Sequence, residues 1–204
     1  VAYRLGGELA YALEGSIFIA GAGMQWLRDG LGIVETSSES EAMARSLEEE
    51  TDIVFVPALT GLGAPHWLPD ARGSIFGISR STGPAEIATA MLESVGYQTA
   101  DLMTAMASDG MEAGTMRVDG GMARNDWMCQ FLADILDVPI ERPANLETTA
   151  VGAAYIAGRA TGLIDAEFRP AREGGEAARF APAMEVDVRK AKLARWQDAI
   201  AATK

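Results

Sequence analysis

The chain reads Arg117-Val118-Asp119-Gly120-Gly121-Met122-Ala123-Arg124-Asn125 near its middle, where a strand end, a glycine turn and a helix start follow one another. Residues 115–118 alternate in polarity, as the last residues of a strand do. After the turn, apolar side chains recur with helical spacing and predict one buried helix face, formed by Met128, Phe131, Leu132, Ile135 and Leu136. This succession indicates an α/β domain with a turn that is open to a ligand.

The glycine pair supports two interpretations. Glycine adopts positive φ without strain and lets a ligand approach the backbone, and a helix N-terminus nearby offers free N–H groups to an anion. A nucleotide site is therefore one interpretation, and an ordinary tight turn is the other, since most Asp-Gly-Gly tripeptides are turns. Asp119 is interpreted as a turn former or helix cap in preference to a catalytic base.

Composition narrows the class of protein. The chain has 204 residues, of which 49% are hydrophobic and 23% charged, as in folded proteins. Its net charge of −12 argues against nonspecific binding to nucleic acid or to anionic membranes. No apolar run has the roughly 18 residues of a membrane span, and no signal peptide precedes the first strand. We expect a cytoplasmic protein that binds no nucleic acid and does not insert into membranes.

The chain has one cysteine and one histidine, and each is a candidate for a catalytic or metal-binding role. Cys129 falls near the apolar face of a predicted helix, so we interpret it as a small buried hydrophobe. His66 is the only histidine and lies in the long loop 60–73. Because neither a second histidine nor a cysteine lies nearby, a role as general base or metal ligand is the less favoured alternative, and no metal site is predicted.

The first half of the chain alternates strands and helices. Residues 2–13 resemble a hairpin with no lead-in, from which we expect the chain to be part of a longer protein. Gly21 and Gly23 weaken the helix predicted to end at Gly30, so a helix or a ligand should approach closely there. Further predictions are a capping box at Ser38 opening a helix to residues 48–50, a buried strand at 53–59, a strand at 74–79, and a helix from Pro84 to Ser108 with an apolar stripe.

The second half adds three elements after the glycine turn. Pro139 indicates that the strand at 138–142 either lies at a sheet edge or begins at that proline. The small residues of a helix at 148–158 predict tight packing against a neighbour. A terminal helix at 185–201 offers apolar side chains for docking. We expect a nucleotide-binding domain at 1–165 and an extension at 166–204 that ends in this docking helix.

Several motifs resemble those of a known family. Gly73-Ser74-Ile75-Phe76-Gly77-Ile78, followed after seven residues by Glu86-Ile87-Ala88-Thr89-Ala90-Met91-Leu92-Glu93, resembles the second signature of the FGGY carbohydrate kinases. Other motifs resemble the members of that family that phosphorylate glycerol, and the resemblance runs from residue 11 to residue 165. These motifs are Tyr11-Ala12-Leu13-Glu14-Gly15, Gly21 with Gln25-Trp26-Leu27-Arg28-Asp29, Thr60-Gly61-Leu62-Gly63-Ala64-Pro65-His66-Trp67, Asp119-Gly120-Gly121 with Asn125, and Glu147-Thr148-Thr149-Ala150-Val151-Gly152-Ala153-Ala154.

The resemblance implies a fold and an activity. It implies the C-terminal, actin-like (ribonuclease H-like) half of a two-domain kinase, an α/β domain with a mixed sheet flanked by helices. That kinase would use ATP and Mg²⁺ to phosphorylate glycerol and would be a homo-oligomer when full length. The implied cofactor-binding residues are Gly21, Gln25, Gly120, Gly121 and Asn125.

The same resemblance places the catalytic base and the glycerol contacts in a domain outside this chain, which would then hold no catalytic residue. Alternatives are another sugar kinase of the family, a non-catalytic actin-like nucleotide-binding module, and a degenerate structural domain. The loop from Gly61 to Trp67 distinguishes the kinase from the non-catalytic module, which would have no reason to keep it.

Overall fold

A computed structural model describes residues 1–5, 7–111, 114–165, 168 and 177–203. Helices and strands alternate along these ranges, as the sequence predicts. The helices are α1 (Gly21–Asp29), α2 (Glu39–Ser46), α3 (Pro84–Ser108), α4 (Asp126–Leu136), α5 (Thr148–Ala160) and α6 (Val186–Thr203). The strands are β1 (Tyr3–Leu5), β2 (Glu8–Ala10), β3 (Val54–Val56), β4 (Ser74–Phe76), β5 (Met116–Arg117), β6 (Ile140–Arg142) and β7 (Ala178–Phe180).

The strands pair in three groups. β1 and β2 form the predicted hairpin, and β3 and β4 form a second antiparallel pair. β6 pairs parallel with β5 and antiparallel with β7, so the predicted mixed sheet is present as a three-stranded sheet. Pro139 directly precedes the central strand β6, which excludes the predicted edge position and leaves the start of the strand. The predicted strands at 53–59 and 74–79 pair over only three residues each, because the chain turns away into loops on both sides.

α3 is the central element and has the predicted bounds. Pro84 occupies its first turn, and the Glu86 carboxylate accepts a hydrogen bond from the backbone N–H of Gly83 at 2.9 Å. The buried surface of α3 is wider than the predicted apolar stripe, because every residue from 88 to 98 is buried. Other elements therefore surround the middle of α3 on all sides.

Two apolar clusters lie on either side of α3. One joins Met91 and Val95 to α1, and the other joins Tyr97 to β3, α4 and α6. A Cβ atom added to Gly23 would lie 2.2 Å from Cε of Met91, so the predicted close approach at this glycine is made by α3. On the other side, the ring of Trp196 stacks on that of Tyr97 with centroids 5.3 Å apart.

The C-terminal part of the chain contributes to the same core. Trp196 and Ile200 on α6 are fully buried, which confirms the predicted docking of a terminal helix. β7 completes the sheet beside β6. The division at residue 165 adjoins residues 166, 167 and 169–176, which lie outside the described residues, and it stays a prediction.

Two helix predictions are wrong in detail. α2 ends at Ser46 because Leu47 adopts an extended backbone, and the Ser38 side chain makes no capping bond. The carboxylate of Glu39 instead accepts bonds from the backbone N–H of Glu35 at 3.1 Å and the hydroxyl of Thr36 at 3.1 Å. The observed interaction thus joins Glu39 to residues that precede the helix, and it begins at Thr36 where the sequence spacing indicates Ser38.

The prediction of tight packing for α5 is also wrong. Gly158 is its only buried residue, against the side chain of Ile164, and Ala153 is exposed. Val151 and Ile156 are 39% and 36% exposed. The small-residue face therefore lies at the surface of the described chain and is not packed against a neighbour.

Within the described residues, we find no helix that combines the length and the apolarity needed to cross a membrane.

Candidate functional site

The glycine turn connects β5 to α4 by a short irregular path. Gly120 has φ 82° and ψ −177°, a backbone conformation that residues other than glycine rarely adopt. One turn of 3-10 helix, Gly121–Arg124, then separates it from α4, so the helix does not begin directly after the glycines as the sequence suggests. A Cβ atom added to either glycine would meet no atom within 4 Å. The described chain thus leaves the space above both residues open.

Asn125 closes this turn as the N-cap of α4. Its Oδ1 accepts a hydrogen bond from the backbone N–H of Met128 at 2.9 Å, which satisfies a helix donor that would otherwise be unpaired. Its Nδ2 donates to Oγ of Ser40 on α2 at 3.3 Å. The side chain therefore orients the turn, and one amide proton and one lone pair are left for a further partner.

Hydrogen bonds to the carbonyl of Ala123 hold the turn, from the partly buried Arg142 and the buried Cys129. The guanidinium of Arg142 donates to the carbonyl of Ala123 at 2.8 Å and to the carboxylate of Asp126 at 2.6 Å. The thiol of Cys129 donates to the same carbonyl at 3.3 Å. Burial raises the pKa of Cys129 to about 11, so the residue stays a thiol, as expected of a small buried group.

The N-terminus of α1 lies beside the turn. A Cβ atom added to Gly21 would lie 3.6 Å from Cγ of Met122, so the two segments approach each other there. The side-chain amide of Gln98 donates to the carbonyl of Ile19 at 3.0 Å and anchors the residues that precede α1. Ala20 gives the helix no side-chain cap. The N–H of Gly23 donates to the carbonyl of Ala20 at 2.9 Å, so the N–H groups of Gly21 and Ala22 are the ones that the described residues leave available.

The structure therefore brings some of the predicted site residues together. Gly21 approaches the 3-10 turn that follows Gly120, and Asn125 ends that turn. Gln25 lies one helical turn after Gly21, on the same face of α1, and is exposed. Asp119 is exposed as well, and among the described residues its carboxylate accepts no hydrogen bond, so it is not the predicted cap.

His66 has a structural role. Its Nε2 lies 2.9 Å from Oδ2 of Asp101 on α3, and the same carboxylate accepts bonds from Trp196 at 2.7 Å and Gln197 at 2.5 Å on α6. The histidine thus ties the 60–73 loop to α3, and the same carboxylate ties α3 to α6. The described residues hold no group of three or more His, Cys, Asp or Glu side chains that could bind a metal ion.

Sequence reasoning missed three residues that shape the site. Ser40 and Arg142 position Asn125 and Asp126, and Met122 contacts the start of α1. Ser40 lies 85 residues from its partner, and no local pattern reports such a contact. The alternation in the strand after Pro139 could have placed Arg142 on one sheet face, but it could not name the carbonyl that the side chain binds.

Comparison with known sequences identifies the family. Residues 3–161 match the FGGY family of carbohydrate kinases, C-terminal domain. The chain belongs to this family. It is 55% identical to a glycerol kinase of Rhodospirillum centenum over 206 residues, and 50% identical to one of Sinorhizobium fredii. Each alignment covers the whole chain but only 41% of the relative.

Solved structures agree with the assignment. The fold matches a Plasmodium falciparum glycerol kinase with ADP at a TM-score of 0.80 and 34% identity, over 92% of this chain and 37% of that one. A xylulose kinase of Lactobacillus acidophilus matches at a TM-score of 0.73 and 21% identity, over 92% of this chain and 39% of that one, and shows the fold alone. The predicted actin-like α/β fold is therefore confirmed.

Proposed function

We propose that this chain is the nucleotide-binding part of an ATP-dependent kinase that converts glycerol to glycerol 3-phosphate. Relatives named glycerol kinase, 50–55% identical over the whole chain, support glycerol as the acceptor. The similar structure with ADP supports an adenine nucleotide as the ligand. The chain spans about two fifths of the length of these relatives, so the activity belongs to a longer protein.

The open backbone at Gly121 carries the proposal. Gly120 needs to be glycine because of its positive φ, but Gly121 does not have a left-handed backbone, and no protein atom occupies the position of its Cβ. The described fold therefore gives no reason for a glycine there. A ligand that lies against the backbone does give one, because a side chain at residue 121 would occupy its place.

The neighbouring residues fit a nucleotide. The uncapped start of α1 offers backbone N–H groups to an anion, in a protein whose net charge would otherwise repel phosphates. Asn125 keeps hydrogen-bonding capacity beyond its capping role, and Gln25 extends the same wall. In this proposal ATP supplies the phosphoryl group, and the chain holds and orients the nucleotide from one side.

The chemistry of transfer requires groups that we do not assign to this chain. Phosphoryl transfer depends on positioning and on neutralising charge, and a carboxylate accepts the proton of the acceptor hydroxyl. We assign neither that carboxylate nor a ligand for Mg²⁺ to the described residues. Both belong, in this proposal, to the part of the longer protein that faces the glycine turn.

The proposal also covers the location and the oligomeric state of the longer protein. We propose that the longer protein acts in the cytoplasm as a homo-oligomer, as the family resemblance implies. Another sugar acceptor is less well supported, because the xylulose kinase neighbour is only 21% identical. A non-catalytic nucleotide-binding module is also less well supported, since the chain keeps the loop from Gly61 to Trp67 and His66 anchors it.

A glycine substitution tests the nucleotide site. We expect Gly121→Val to weaken binding of an adenine nucleotide by about tenfold or more, because its side chain would enter the space of the ligand. Gly114→Val is the matched control, since Gly114 is also exposed, has no left-handed backbone, and would meet no atom within 4 Å. Calorimetry with ADP gives both affinities, and circular dichroism reports whether each variant is folded.

The same experiment can reject the proposal. If Gly121→Val binds ADP as tightly as the parent, the nucleotide does not lie on this turn. If both valine variants lose affinity equally while folded, the effect is not specific to residue 121. Separately, production of a phosphorylated sugar in preference to glycerol 3-phosphate by the longer protein would reject glycerol as the acceptor and leave the nucleotide site intact.

A further inference from the structure

Asn125 meets a buried serine that lies 85 residues earlier in the chain. Ser40 is the second residue of α2 and is only 1% exposed. Its Oγ lies 3.3 Å from Nδ2 of Asn125, the residue that caps α4 at the end of the glycine turn. Because Ser40 is buried, any part that it plays in binding a ligand must act through Asn125.

The partners of Asn125 fix which way its side-chain amide points. The backbone N–H of Met128 can only donate, so the amide atom that lies 2.9 Å from it must be the oxygen. The nitrogen therefore faces Ser40 and donates to its hydroxyl. A flipped amide would set two donors against each other at Met128.

Ser40 can only accept in this interaction. A serine hydroxyl has one proton, and Ser40 donates that proton to the carbonyl of Ser37 at 2.7 Å. The oxygen then presents only lone pairs to Asn125. These residues and Met128 form a continuous hydrogen-bonded chain in which each bond has one possible direction. The orientation of the amide is thus determined at both its nitrogen and its oxygen.

The two helices do not need this bond to stay together. Glu41, next to Ser40 on α2, accepts a hydrogen bond from the backbone N–H of Asp126 at 3.2 Å. Ala44 of α2 and Trp127 of α4 share an apolar cluster. Because burying a hydroxyl is costly unless it is paired, an apolar residue at position 40 would serve a purely structural contact as well. The hydroxyl of Ser40 therefore indicates a requirement beyond packing.

The fixed amide matches adenine better than guanine. After these bonds, Asn125 has one amide proton and one oxygen lone pair for a further partner. Adenine offers an acceptor, N7, beside a donor, the N6 amino group, and a side-chain amide pairs with both. Guanine offers two acceptors there, N7 and O6, so an amide held in this orientation would set one oxygen against another.

We propose that Ser40 is a positioning residue that holds the amide of Asn125 in the orientation that selects adenine over guanine. The inference rests on the proposed nucleotide site, because Asn125 can contact the base only if the nucleotide lies on the glycine turn. Without the oxygen of Ser40, the amide nitrogen loses its partner on α2 and can turn away from the base.

The ratio of the affinity for ADP to the affinity for GDP tests this role, because a merely structural contact would change both affinities equally. We expect Ser40→Ala to lower the ratio by about fivefold or more, mainly by weakening ADP, since a hydrogen bond to the base is no longer held in place. Calorimetry on the 204-residue chain gives the affinities, and circular dichroism reports whether each variant is folded.

Ser46→Ala is the matched control on the same helix. The hydroxyl of Ser46 donates to a carbonyl three residues earlier, as that of Ser40 does. Ser46 is exposed, however, and within the described parts of the chain its hydroxyl bonds to no residue of α4. This variant should leave the ratio unchanged.

A second variant tests whether Ser40 acts through Asn125. Serine caps helices about as well as asparagine, so Asn125→Ser should keep the cap of α4 while it removes the amide. We expect Asn125→Ser to lower the ratio by itself, and Ser40→Ala to have no further effect on the ratio in that background. A full effect of Ser40→Ala there would overturn the inference, since Ser40 would then act by another route.

Two other results would overturn the inference. Equal affinity of the parent for ADP and GDP, or equal loss of both affinities in Ser40→Ala, would show that Ser40 selects no base. Gly121→Val separates this failure from failure of the nucleotide site. If Gly121→Val weakens ADP and Ser40→Ala leaves the ratio unchanged, only the role of Ser40 is rejected. If Gly121→Val binds ADP as tightly as the parent, both proposals are rejected.

Discussion

At Glu93, burial and pairing act on one carboxyl group in opposite directions. Desolvation raises the pKa of this carboxyl above its ordinary value, whereas the ammonium of Lys192 and the hydroxyl of Tyr97 lower it. We take burial to prevail, because the side chain is only 5% exposed and Lys192 is shared with Glu50. The folded protein then binds this proton more tightly than the unfolded chain does.

This direction has a measurable consequence for stability. Where the folded state binds more protons than the unfolded state, the free energy of unfolding falls as pH rises. The contribution of Glu93 is therefore full below its ordinary pKa and is lost as pH rises through its raised pKa. We expect the difference in unfolding free energy between the parent and Glu93→Gln to move in favour of the variant as pH rises from the ordinary pKa of this carboxyl through its raised pKa.

Urea denaturation of both proteins across that range measures the difference, and Glu14→Gln, an exposed glutamate, is the control that should give none. The opposite slope, with the parent gaining on the variant as pH rises, would show that pairing with Lys192 prevails over burial.

For single residues, the sequence predicts local roles but not distant contacts. Asn125 directly precedes the apolar repeat that predicts a helix, so its position near a helix start follows from the sequence. In the structure its side chain caps the N-terminus of α4. The partner of His66 could not be predicted, because Asp101 lies 35 residues away along the chain. Trp196, which donates to the same carboxylate, lies a further 95 residues from Asp101. Local spacing carries information about caps and turns but none about side chains that meet only after packing.

Among the elements, α3 and α5 differ in how well their environments could be predicted. Both have the predicted starts, since Pro84 and Thr148 mark helix beginnings in the sequence. The burial of α3 exceeds its predicted stripe because Glu93 and Gln98, polar in sequence, find partners on other elements. The small residues of α5 indicate close packing, yet no such neighbour lies over them in the described chain.

A pair of substitutions tests this contrast. We expect Ala153→Leu on α5 to change the free energy of unfolding by less than about 0.5 kcal/mol, because the residue is exposed. We expect Gly96→Ala on α3 to cost about 1–3 kcal/mol, since its Cβ would lie 2.7 Å from the ring of Phe131. Urea denaturation of the 204-residue chain gives both values. A loss above about 1 kcal/mol at residue 153 would show that the face of α5 is covered.

For the whole molecule, the order of elements and the fold class could be predicted, whereas the division of the sheet could not. Alternating strand and helix patterns indicate α/β, and the match to solved structures confirms it. Among the described residues the strands form three separate groups, because β3 and β4 pair there only with each other, which depends on register and on loop paths. Those are set by contacts between distant residues and leave no periodic signal.

The activity of the chain depends on how much of the whole kinase it contains. We expect the 204-residue chain alone to bind adenine nucleotide weakly and to make no glycerol 3-phosphate above a blank without enzyme. In our proposal it provides one wall of the site, whereas transfer needs phosphate contacts from both walls and a base held within about 3 Å of the acceptor hydroxyl. One wall alone cannot exclude water from the phosphates, which closure of a two-domain kinase would do.

The measurement is an assay of glycerol 3-phosphate after incubation with Mg²⁺, ATP and glycerol, with a longer protein that contains this chain as the positive control. The chain spans 41% of its relatives, so the longer protein should be active where the chain is not. Gly121→Val in the longer protein should then raise KM for ATP, and Gly114→Val should not. Turnover by the chain at a rate near that of the longer protein would show that an acceptor-side base lies within these residues, and the exposed carboxylate of Asp119 beside the glycine turn would be the first to substitute.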